Sequence, residues 1–135
     1  MNSILTPFPE LLTYGFLAPT LLRVAAASVF AYLAYQHYKN RDDKAARRFP
    51  VLGDDLWVIW LAILIEAGIA AALFVGYYTQ YAGILGAALA FKHIIWGGSY
   101  PRFFILPRST ALLLLVITLS LLATGAGAFA FDLPL

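Results

Sequence analysis

The residues at which this sequence could do chemistry are the ionisable ones set in long apolar stretches. Glu66 stands near the middle of the run from Leu56 to Gly76 and is its only ionisable residue. A membrane's hydrocarbon core is about 30 Å thick, and a helix crosses it in about 20 residues, so this run fits a span. A carboxylate at mid-depth costs a few kcal/mol and is expected to face protein or water with a partner. Arg23, flanked by Thr20-Leu21-Leu22 and Val24-Ala25-Ala26-Ala27, is the candidate partner, because a guanidinium fork matches a carboxylate. Two readings of an Arg23–Glu66 pair stand side by side. It is either a clamp that fixes how two helices dock, or the lining of a polar pocket that binds a quinone carbonyl or an anion, or relays a proton.

Lys92 and His93 lie toward the far end of a third apolar run, and His37 lies at the end of the first. Lys92 is expected to snorkel toward head groups. His37 and His93 are expected at similar depth, in hydrophilic surroundings. Axial haem ligation by the two is the minor reading and surface histidines the major one. No metal site is expected, because Asp42, Asp43, Asp54 and Asp55 read as solvated loop charges or helix caps. With no cysteine, disulfides, thiolate metal sites and iron–sulfur clusters are excluded. No Gly-rich phosphate loop, nucleophile elbow or His-Glu-x-x-His motif occurs.

Hydrophobic residues make up 62% of the 135 positions and charged residues 12%, against roughly 45–50% and 25% in soluble domains. That excess implies a lipid bilayer as partner. The small net charge of +2 gives no reason to expect nucleic acid as one. The chain reads as all-α, a single membrane domain over 1–135 with helices at about 11–38, 56–76, 79–96 and 109–131. Pro19 is expected to kink the first, and Tyr32, Tyr35 and Tyr38 mark an interfacial belt near its end. The uncharged turn from Gly76 to Gln80 makes the second and third helices antiparallel neighbours. Ala82, Gly86 and Ala90 recur every four residues, the spacing that lets helix backbones approach closely in lipid, and read as internal packing.

Topology follows from the basic residues. Lys39, Arg41, Lys44, Arg47 and Arg48 fall in a loop over 39–55, and Arg102 and Arg108 fall between the third and fourth helices. The positive-inside rule places both loops in the cytoplasm and both termini outside, in a multi-pass protein of a cytoplasmic (inner) membrane. Met1 to Glu10 carries no Lys or Arg, so no cleavable signal peptide is expected.

Three stretches carry a resemblance. They are Ala18-Pro19-Thr20-Leu21-Leu22-Arg23, Glu66-Ala67-Gly68 with Leu73 to Gly83 after it, and Leu121 to Asp132 with its Gly125-Ala126-Gly127 tract. Together they resemble the DoxX/DoxD-like membrane proteins, which have a helix-one Arg, a helix-two Glu before a Gly-Leu-Tyr-Thr-type turn, and a Gly-x-Gly tract ending in Ser-Leu-Asp. Here Ala130-Phe131-Asp132 lacks that Ser. The resemblance implies a four-helix transmembrane bundle. Some of its members are similar to subunits of thiosulfate:quinone oxidoreductase. The implied function is a small membrane subunit of a redox assembly, with protein partners and quinone as candidate ligand. The alternatives are a non-catalytic assembly subunit and a small proton-coupled transporter.

Overall fold

The structure is a computed structural model, and it describes residues 8–41, 56–99 and 104–131. A 3-10 helix, Pro9–Leu17, leads directly into α1, Ala18–Lys39. α2 is Leu56–Val75, α3 is Thr79–Trp96 and α4 is Arg108–Thr124. No strand occurs among the described residues. Residues 42–55, with Asp42, Asp43, Lys44, Arg47, Arg48, Asp54 and Asp55, lie outside the described residues, as do Arg102 and the two chain ends.

Two element boundaries differ from the sequence reading, each for a local reason. The α-helix begins at Ala18 rather than near Leu11, and Pro19 stands in its first turn rather than kinking its interior. Proline is tolerated there because that turn's N–H groups have no intrahelical partner. α4 ends at Thr124 rather than near Phe131. Gly125 and Gly127 have φ of +74° and +72°, and Phe129 has φ of +57°, so the chain leaves the helix and turns back over the bundle. Tyr78, with φ of +52°, and Gly76, with φ of +75°, make the tight reversal between α2 and α3.

Side chains at helical spacing build the interior. On α1 the buried positions are Arg23, Ala26, Ala27, Phe30, Leu33, Ala34 and His37. On α3 they are Thr79, Ala82, Gly83, Gly86, Ala90 and His93. A Cβ on Gly86 would sit about 3.0 Å from the Phe30 ring and 3.1 Å from Thr118. The small-residue stripe of α3 is therefore where α4 packs closely and where the Phe30 ring of α1 reaches in. α1 packs along α2, and α3 along α4, while α2 and α3 meet more sparsely.

The exterior is apolar. Leu21, Leu64, Phe74, Leu85 and Leu113 face outward, while Arg23, His37, Glu66 and His93 are buried. The run Glu10–Lys39 and the helix Trp57–Val75 are each long and apolar enough to cross a membrane, and α4 is a shorter apolar helix.

Candidate functional site

Glu66 and His37 form the centre of the site. Three buried stripes converge on it, and each follows from helix periodicity. His37 lies on the α1 face that carries Phe30 and Leu33. Glu66 lies on the α2 face with Ile59, Ile69 and Leu73. His93 ends the α3 stripe through Gly86 and Ala90.

The partner of Glu66 is His37, not Arg23. His37 Nδ1 stands 2.6 Å from Glu66 Oε2, with the two side chains 1% and 3% exposed. With Glu66 as a carboxylate, which only accepts, the imidazole Nδ1–H is the donor, and a bond of that length to an ionised group is a strong one. The surface setting expected for the two histidines is also corrected, since His37 is 1% and His93 3% exposed. Their apolar neighbours on α1 and α3, rather than the hydrophilic residues beyond the helix ends, set their surroundings.

Arg23 is buried, as a residue of its face should be, but it serves the other end of the bundle. Its Nη2 donates to the carbonyl of Phe129 at 3.0 Å, and a Cβ on Gly76 would run into its Nη1. Gly76 lies ten residues along the chain from Glu66, about 15 Å at 1.5 Å per helical residue. The hydroxyl of Thr20 donates to the carbonyl of Ala128 at 2.6 Å. Arg23 and Thr20 thus hold the C-terminal tract over the start of α1. The register between α1 and α2 separates two charges that the sequence alone had paired.

His93 joins the Glu66 side of the molecule. Glu66, Lys92 and His37 are all close enough to act on it electrostatically. Its Nδ1 lies 2.8 Å from the carbonyl oxygen of Leu89, and its ring meets Phe104 edge-on with centroids 4.9 Å apart. Lys92 is half-buried, with its ammonium 5.5 Å from the Phe104 ring centroid. This cation–π contact holds its head beside the cluster. Among the described residues no three His, Cys, Asp or Glu side chains are arranged to hold a metal ion.

A groove of about 550 Å³ opens between α2 and α3, lined by Ile65, Gly68, Ile69 and Ala72 on one wall and Tyr81, Ala82 and Leu85 on the other. It is almost wholly apolar, and Ile65 and Ile69 flank Glu66 along α2. The sparse contact between these helices and the missing side chain of Gly68, whose Cβ would meet nothing within 4 Å, account for the opening.

The grouping of His37 with Glu66 was open to discovery in the sequence. Continuing the helical face of Arg23 through residues 26, 27, 30, 33 and 34 reaches His37. What no periodicity supplies is the register that sets it opposite Glu66. Compared with family models, curated proteins and solved structures, the chain gives no match.

Proposed function

We propose that this chain is a small four-span integral membrane protein, with both termini on the outer side of a cytoplasmic-type membrane, and that it serves as a subunit of a redox assembly that exchanges protons with quinone beside Glu66. The resemblance to DoxX/DoxD-like proteins motivates the redox part of this reading. The observation that carries the site is the buried Glu66–His37 pair at 2.6 Å inside a bundle whose exterior is apolar. Reducing a quinone consumes protons, so a protein handling one needs proton-bearing groups within reach of an apolar pocket. Glu66, His37 and His93 are proton-bearing groups, and the α2–α3 groove, lined by Ile65 and Ile69 on either side of Glu66 along α2, is an apolar pocket. An isoprenoid-bearing ring would use the groove walls for its apolar surface. The chain's own residues would exchange hydrogen bonds and protons with its oxygens, while the electrons would come from partner subunits.

A structural reading also has an observation behind it. The same His37–Glu66 bond ties α1 to α2, the pair in closest contact, and would act as a clamp that orients the bundle for assembly. Gentle purification from native membranes, with mass spectrometry of everything retained, tests both. Recovery of redox partners together with quinone, and loss of quinone from an assembled Glu66→Gln complex, is the expected result. A Glu66→Gln complex that assembles poorly yet retains quinone and electron transfer would favour the clamp. Recovery of the chain alone with bulk lipid would overturn the redox reading and make proton-coupled transport into vesicles the next assay.

A further inference from the structure

His93 carries a chemical feature that neither clamp nor groove explains. A carbonyl oxygen only accepts hydrogen bonds, so the 2.8 Å contact with Leu89 requires His93 Nδ1 to carry the hydrogen. In the neutral ring the second nitrogen, Nε2, is then a bare lone pair. That atom is buried in a side chain 3% exposed and has no hydrogen-bond partner among the described residues. Leaving a buried polar atom unpaired is unfavourable. The groups close enough to act on the ring electrostatically differ in sign: Glu66 on α2, His37 on α1 and Lys92 on α3 itself. From α4 no charge faces it. Beyond Arg108, which is exposed and lies against Gly98, that helix carries no ionisable residue, and its buried Thr118 hydroxyl is committed to the carbonyls of Leu114 and Leu115 at 2.9 Å.

We propose that His93 Nε2 is a proton-binding atom inside the bundle, and that a proton taken up there is shared electrostatically with the Glu66–His37 pair. The step forms one N–H bond at Nε2 and breaks one O–H bond of the donor, which is water or an acidic hydroxyl. No electrons move. Glu66 balances the imidazolium that forms, and Lys92 opposes it, so the two residues set the site's proton affinity in opposite directions. The site is the one assigned above to proton exchange, but this inference does not require quinone.

The test is nitrogen NMR of the full-length chain in lipid nanodiscs with labelled histidine, using His93→Phe to assign the resonances and titrating from about pH 8 down to about pH 4, through and below the range in which histidine ordinarily changes charge. At the upper end His93 is expected as the Nδ1–H tautomer with a bare Nε2, which becomes protonated reversibly as pH falls, with the His37 signal moving in the same titration. Glu66→Gln is expected to weaken proton binding at His93 about tenfold or more, a shift of about one pH unit. Lys92→Met is expected to strengthen it, and a merely structural role would not give opposite signs. The proposal is overturned by an Nε2 protonated at every pH, by an Nε2 that never titrates, or by a titration indifferent to both substitutions. Should Glu66→Gln fail to fold, the Lys92→Met arm alone decides. A positive result from a chain that retains no quinone would leave this inference standing and remove only the redox reading.

Discussion

Replacing Glu66 by alanine removes the group that His37 Nδ1 meets at 2.6 Å, in a side chain 1% exposed. Two scales bracket the cost. Breaking a buried ion pair from one side costs about 3–5 kcal/mol in soluble proteins. Interhelical hydrogen bonds measured inside membranes average about 0.6 kcal/mol and reach about 1.7. The bond here is short, involves a carboxylate and is sealed from solvent, so its coupling belongs at the top of the second range, about 1.5 kcal/mol. The single substitution, which also leaves an unpaired polar atom, belongs near the foot of the first, about 3 kcal/mol. A double-mutant cycle of Glu66→Ala with His37→Phe, read as unfolding free energy in mixed micelles, isolates the coupling. The matching cycle of Glu66→Ala with Arg23→Met is expected to be additive within about 0.5 kcal/mol, as for separated sites. Additivity in the first cycle, or coupling above about 1 kcal/mol in the second, would refute the pairing.

Further outcomes follow from the same geometry. Gly76→Ala is expected to cost about 2–3 kcal/mol in thermal or denaturant unfolding, because it combines a φ of +75° with a Cβ that meets Arg23 and Ala130. Gly125→Ala, with nothing within 4 Å but at φ of +74° and ψ of −164°, a region open essentially to glycine alone, is expected to cost about 1–3 kcal/mol. Gly86→Leu is expected to disrupt the α1–α3–α4 contact by more than about 2 kcal/mol, while Gly68→Ala, facing open space, is expected to leave unfolding unchanged or slightly improved by helix propensity. Arg23→Met is expected to release the carbonyl of Phe129 and raise the rate of proteolytic cleavage between Gly125 and Phe131 several-fold, with the helix content of the bundle unchanged by circular dichroism.

The existence of the four helices was legible in the chain because apolar runs and their punctuation are local properties. The run around Glu66, the αL-prone Gly76 and the small-residue stripe of α3 each declare themselves within a few residues. So does the burial of Arg23 and Glu66, since charges inside such runs have few other places to go. The last turns of α1 and α3 misled for a local reason too. His37 and His93 stand beside polar residues in sequence, and only the face they occupy, shared with Phe30 and Ala90, shows that they point inward.

Partners were another matter. Which groups meet across two helices depends on where each helix starts and how far one slides along the other. Pro19, by fixing the start of α1 after a 3-10 turn, and the long connection to α2 both enter that register, and neither can be summed from local preferences. The sequence alone determined the helical elements, the apolar exterior and the burial of Arg23 and Glu66. The tertiary structure decided that Glu66 meets His37, that His93 keeps an open nitrogen nearby, and that Arg23 fastens the C-terminal tract at the far end, because a hydrogen bond forms over about 3 Å while one helical turn of slippage moves its partner by 5.4 Å.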